Sequence, residues 1–137
     1  FNEGPNDLFV VRVAGNFVTQ DLLASLEYGV QFLGVPLIMV LGHTNCGAVD
    51  AAIKVLKTKA TLPGHLPDLV TAIKPAVIVA ERTQKGDLLE NAIAENVRRQ
   101  VARLKTSPPV VQRYYAGKKI DIVGGVYDLA TGKVALV

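Results

Sequence analysis

The sequence predicts an α/β domain built on a mainly parallel β-sheet flanked by helices, and three observations carry that prediction. Half of the 137 residues are hydrophobic, enough apolar material for one compact core, so residues 1–137 read as a single domain. Leu37 to Leu41 is an almost unbroken apolar run, as expected of a central parallel strand covered on both faces. Along the chain the order is strand, helix, strand, helices, strand, the alternation that produces a parallel sheet.

Each element has its own signal. Leu8 to Val13 is a short β-rich run between Gly4-Pro5-Asn6 and Gly15-Asn16 and reads as a strand. Thr19 is placed to cap a helix with Asp21 in its first turn. Leu22, Leu26, Val30 and Leu33 then share one face, and Gly34 with Pro36 ends the helix. Gly42 closes the apolar strand, and Gly47 to about Lys57 reads as helix. Around Pro63 to Pro67 the composition is that of a linker. Leu69, Val70, Ile73, Val77 and Ala80 mark a further helix, which Pro75 is expected to kink or restart. Asp87 and Glu90 have capping-box spacing ahead of Leu89, Ile93, Val97 and Val101, the clearest apolar stripe in the chain. Ser107-Pro108-Pro109 stops that helix. Ile120 to Tyr127 reads as a strand, Asp128 to Lys133 as a turn and Val134 to Val137 as a last strand.

The bulk properties exclude several function classes. The net charge is +3, and the densest basic group, Arg98, Arg99, Arg103 and Lys105, sits at helical spacing among apolar residues. That is a solvated helix face rather than a nucleic-acid patch. No run reaches the roughly 18 apolar residues of a membrane span. The first residues show neither a basic start nor a hydrophobic signal region; a cytoplasmic location is the expectation, with removal of a signal peptide as the alternative. The single cysteine, Cys46, excludes an internal disulfide.

Chemistry concentrates at Gly42-His43-Thr44-Asn45-Cys46-Gly47, between the buried strand and the next helix. In parallel sheets ligands bind at the carboxyl ends of strands, which is where this segment falls. An imidazole and a thiolate three residues apart can face one point across such a bend, and both are favoured zinc ligands. The free N–H groups of a helix N-terminus favour negative charge beside Cys46. Gly42 and Gly47 permit tight turning and close backbone approach. On spacing alone the pair leaves three readings open: metal ligation, a nucleophilic cysteine, or structural residues. His65, flanked by Pro and Gly, reads as a surface loop residue.

Gly42-His43-Thr44-Asn45-Cys46-Gly47-Ala48-Val49 resembles the Gly-His-x-x-Cys-Gly zinc motif of β-class carbonic anhydrases. Asp7 to Asn16 resembles that family's second-strand signature, and Ser25-Leu26-Glu27-Tyr28-Gly29-Val30 the helix before its zinc turn. Gly124-Gly125-Val126-Tyr127-Asp128-Leu129 with Thr131-Gly132 resembles its C-terminal strand and hairpin. Four motifs in the family's order span nearly the whole chain.

The resemblance implies a β-carbonic-anhydrase-like fold and a lyase that interconverts carbon dioxide and bicarbonate, with zinc as cofactor. It implies His43 and Cys46 as metal ligands, completed by a Cys from an earlier Cys-x-Asp-x-Arg motif, with water, hydroxide or the aspartate of that motif at the fourth position. Zinc lowers the pKa of water toward neutrality, and the hydroxide so formed is the nucleophile for carbon dioxide. Phe9, Tyr28 and Gly47 match positions lining the family's substrate pocket, which lies partly across a dimer interface. Phe9 and Tyr28 as ordinary core aromatics is the competing expectation. A homodimer or homotetramer is implied, with no nucleic-acid or membrane partner. No Cys-x-Asp-x-Arg occurs in residues 1–137, so the fold is expected to be N-terminally incomplete, with the family's first strand, N-terminal helices and catalytic Asp–Arg pair outside it. Three other readings stand beside this one: a catalytically dead scaffold, a hydrolase of another linear molecule such as carbon disulfide, and a metal-free enzyme using Cys46 with His43.

Overall fold

In the computed structural model, which describes every residue except Asn2 and Gln84, strand β1 (Leu37–His43) lies parallel to β2 (Asp121–Tyr127). The register runs from Leu37 opposite Asp121 to His43 opposite Tyr127. A short third strand, β3 (Val134–Leu136), pairs antiparallel with β2, giving the order β1-β2-β3. The mainly parallel sheet predicted from the apolar run is therefore present. Along β1, Ile38, Val40 and Gly42 are buried while Met39 and Leu41 between them are half-buried. β1 is the edge strand of this sheet, not the central strand covered on both faces that the apolar run predicted, and it continues through Gly42 to His43.

The helices cover the sheet in chain order. Helix α1 (Gln20–Phe32) starts as predicted, with the Thr19 hydroxyl accepting from the Leu22 N–H at 3.3 Å. Its apolar stripe is only partly used: Val30 is buried, whereas Leu33 lies beyond the helix and is exposed. Helix α2 (Gly47–Thr58) and helix α3 (Leu66–Thr83) pack their apolar faces together around Val49, Ile53, Val70, Ile73 and Val77. Helix α4 (Leu88–Lys105) is capped by Asp87, whose carboxylate accepts from the Glu90 N–H at 2.8 Å. Its Ile93 and Val97 are buried, while Arg98, Arg99 and Arg103 face solvent, as a solvated basic face requires. Two polar side chains also lie on the buried side of α4. Gln100 accepts from the Val18 N–H at 3.0 Å, and Asn96 donates to the Gly15 carbonyl at 2.8 Å, so α4 holds the segment before α1 in place.

The structure corrects four further sequence expectations. Leu8 to Val13 forms no strand among the described residues. A strand exists only when a neighbour takes its backbone hydrogen bonds, and here a cleft of about 100 Å³ separates the segment from the outer edge of β1. Phe9 and Val11 line one side of that cleft, Leu37 and Met39 the other. The linker predicted up to Pro67 ends sooner, because α3 begins at Leu66; Pro67 falls in its first turn, where a missing N–H costs nothing. Pro75 does not restart the helix: α3 is assigned as helix without a break through it. The carbonyl that loses its partner belongs to Thr71, which is exposed and can be hydrated, while Ile73, Ala76 and Val77 bury the opposite side. Finally, a short helix α5 (Val110–Ala116) follows Pro109 where no element was predicted, anchored by the fully buried Val111.

No helix among the described residues is long and apolar enough to cross a membrane.

Candidate metal centre

The segment from Gly42 to Gly47 makes the strand-to-helix turn expected of it. His43 is the last residue of β1, Thr44 and Asn45 form the turn, and Cys46 is the N-cap of α2. Asn45 takes a left-handed backbone with φ of 56°, a conformation Asn tolerates better than most residues. Gly42 is required by packing, since a Cβ there would lie 2.8 Å from Cγ2 of Val97 on α4. Gly47 is not: a Cβ there would meet nothing within 4 Å.

The two donor side chains occupy different environments. Cys46 is 4% exposed and packs with the core around Val49, Ala52 and Ile53, and its side chain makes no capping hydrogen bond. His43 is exposed, and its Nδ1 lies 2.9 Å from the Thr44 carbonyl oxygen. A carbonyl can only accept, so Nδ1 carries the proton and the Nε2 lone pair is left for a ligand or metal. Such an engaged Nδ1 is the usual support of a metal-bound histidine. The donor chemistry of His43 and Cys46 thus fits zinc at two coordination positions. Among the described residues no group of three or more His, Cys, Asp and Glu is placed to hold a metal, and a catalytic zinc ordinarily takes three protein ligands.

The turn is tied to the hairpin between β2 and β3. The Thr44 N–H donates to the Tyr127 carbonyl at 2.9 Å, and the Leu129 N–H donates to the Thr44 hydroxyl at 3.0 Å. Asp128 organises the hairpin itself, accepting from the Ala130 N–H and from the Thr131 hydroxyl. Those donors hold its carboxyl below the usual carboxylate range, the Ala130 N–H most strongly. The carboxylate therefore keeps these bonds through that range, and they are lost only as pH falls through the lowered value. Beside the turn lies an open cleft of about 300 Å³ lined by Thr44, Asn45, Asp87, Leu89, Glu90 and Asp128. Sequence reasoning missed Thr44 and Asp128 as contributors, because the Thr44–Leu129 bond spans 85 residues and has no local signature.

Phe9 and Tyr28 are not core aromatics, being 45% and 52% exposed. The Phe9 ring lies against Gly29, and Tyr28 is tilted on Phe32 with centroids 5.2 Å apart. His65 is exposed, as expected.

A family profile described as carbonic anhydrase matches residues 1–134. The chain belongs to the β-carbonic anhydrase family. It is 38% identical to carbonic anhydrase 2 of Mycobacterium tuberculosis over 139 aligned residues, covering 99% of this chain and 65% of that protein. It is 36% identical to carbonic anhydrase of Mycolicibacterium smegmatis, covering 99% of this chain and 66% of that one. Among solved structures, the Coccomyxa β-carbonic anhydrase in complex with acetazolamide superposes with a TM-score of 0.84 at 28% identity, over 99% of this chain and 63% of that one. The chain thus spans about 65% of the length of these two mycobacterial relatives.

Proposed function

We propose that the polypeptide to which these residues belong hydrates carbon dioxide reversibly to bicarbonate and a proton, with zinc held in part by His43 and Cys46. The observation that carries this reading is the turn at the carboxyl end of β1. There a buried cysteine at a helix start and an imidazole with its Nδ1 already engaged lie three residues apart, in a chain of the β-carbonic anhydrase family. When bound, zinc supplies a Lewis acid that makes water a nucleophile near neutral pH. The chain's own part is positional. His43 keeps its proton at Nδ1 against the Thr44 carbonyl, and Cys46 sits buried at the start of α2.

The test uses these residues together with an upstream segment, measuring bound zinc and carbon dioxide hydration by stopped flow. Zinc and hydration are expected together, and both are expected to disappear in His43→Ala and in Cys46→Ala. Bound zinc without hydration would favour a scaffold or a different linear substrate such as carbon disulfide. Activity that survives removal of zinc would favour a cysteine nucleophile.

The same reading includes self-association to a homodimer or a larger homo-oligomer. Phe9, Val10, Tyr28, Phe32, Leu33 and Leu37 are all at least 45% exposed, more clustered apolar surface than a monomer usually leaves to water. Within one chain the cleft beside Phe9 reaches Met39, four residues and about 13 Å along β1 from His43. An apolar pocket wall contributed by Phe9 would therefore come from another subunit. Sedimentation at micromolar concentration is expected to show a dimer or larger species, and a monomer alone would remove the basis for a shared pocket.

A further inference from the structure

We infer that Thr44 is a positioning residue, through which the β2–β3 hairpin sets the orientation of the His43 ring and with it the metal affinity of the turn. The inference rests on the reading of His43 and Cys46 as ligands. It starts from where the sheet stops. The ladder between β1 and β2 ends with His43 opposite Tyr127, and a chain leaving a sheet edge normally loses its pairing there. Thr44 does not: its N–H still donates to the Tyr127 carbonyl at 2.9 Å. Its hydroxyl then accepts from the Leu129 N–H at 3.0 Å, doing with a side chain what the next ladder bond would have done. A threonine serving only its own turn would bond an amide two residues on, whereas this one reaches across 85 residues.

The third polar group of Thr44 faces the site, because its carbonyl accepts from His43 Nδ1 at 2.9 Å. One residue therefore fixes the ring on one side and the hairpin on the other. The hairpin is itself cross-braced and makes a firm anchor. The Asp128 N–H donates to the Lys133 carbonyl and the Gly132 N–H to the Asp128 carbonyl, each at 2.8 Å, and the Asp128 carboxylate takes the Ala130 N–H and the Thr131 hydroxyl. Losing the Thr44 hydroxyl should not unfold the protein. Leu129 is 56% exposed, so water can take over its N–H, at small net cost.

Three variants, made in the polypeptide extended upstream, test this: Thr44→Ala, Thr44→Val, which keeps the shape without the hydroxyl, and Thr44→Ser, which restores it. Amide hydrogen exchange at Leu129 is expected to accelerate in the Ala and Val variants and to stay at the parent rate in Ser. With the ring neutral, NMR of the imidazole is expected to find His43 protonated at Nδ1 in the parent and in Ser. In Ala and Val it should shift toward the mixture of a free imidazole. Cobalt(II), followed by sulfur-to-metal absorption, is expected to bind roughly 10–100-fold more weakly to Ala and Val than to the parent, the usual scale of losing an outer support of a ligand. Unchanged exchange at Leu129 would overturn the inference. So would faster exchange with an unmoved His43 ring, which would leave Thr44 a hairpin clamp only. His43→Ala and Cys46→Ala are the separate control. If the parent shows no cobalt absorption, or these variants keep it, the ligand reading fails, while exchange and tautomer still decide the role of Thr44.

Discussion

Residues 1–137 alone are expected to bind zinc weakly and to hydrate carbon dioxide little, while a polypeptide extended upstream to the length of its relatives should do both. The argument is one of ligand count. His43 and Cys46 provide two donors, and no Cys-x-Asp-x-Arg occurs in these residues. With two protein ligands, the remaining positions go to water, and the protein loses control of the open site on which zinc catalysis depends. With water or hydroxide at the fourth position, the aspartate of that motif, fixed by its arginine, would orient the bound species from outside the ligand shell. Such losses typically cost roughly 10–100-fold in affinity or activity beyond the lost ligand. Stopped-flow hydration with zinc content measured on both polypeptides checks the expectation. Full activity in the short chain would mean that another residue completes the site.

A large effect on stability is expected at Gly124. Val97 of α4 is fully buried and wedged over two glycines of neighbouring strands. A Cβ at Gly124 would lie 2.6 Å from Val97 Cγ1 and 3.1 Å from Val101 Cγ2, and one at Gly42 would lie 2.8 Å from Val97 Cγ2. Helix and sheet approach so closely that one added methyl has nowhere to go. Gly124→Ala should therefore destabilise by about 1–3 kcal/mol, the usual cost of overfilling a packed core. Val97→Ala alone should cost about 2 kcal/mol through lost burial and a residual void. The double variant should be more stable than the sum predicts, by roughly 1 kcal/mol, since each change makes room for the other. Urea unfolding of the four proteins measures the coupling. Strict additivity would mean that α4 shifts freely over the sheet, and the geometry of the turn beyond Gly42 would then not be held by this contact.

Much of the architecture is legible because its signals are local. Thr19 and Asp87 carry oxygen-bearing side chains at the right distance from an apolar stripe, and both cap helices as expected. Leu37 to Leu41 could be read as a strand from composition alone, but β1 lies at the edge of the sheet rather than at its centre, and it runs through Gly42 to His43 instead of ending at the glycine. The failures share a different cause. Leu8 to Val13 has the composition of a strand, but pairing is a property of two segments, and the cleft beside β1 leaves it without a partner. Pro75 does not restart the helix, one of the two effects expected of it, because burial of Ile73, Ala76 and Val77 holds both flanking turns in one helix. Helix α5 is too short to show periodicity and is held by one buried side chain, Val111.

The same division runs through the candidate site. The sequence by itself determined the residue types and their order: an imidazole and a thiol three positions apart, after an apolar strand and before a helix. Those are matters of spacing along the chain, and spacing is what a sequence records. Only the tertiary structure decided that Cys46 is dry while His43 meets solvent, and that Phe9 and Tyr28 lie on the surface rather than in the core. It alone decided, too, that the turn is braced by a hairpin more than eighty residues away through Thr44 and Leu129. Burial and long-range hydrogen bonds depend on which segments meet, and no residue carries that information until the chain has folded around it.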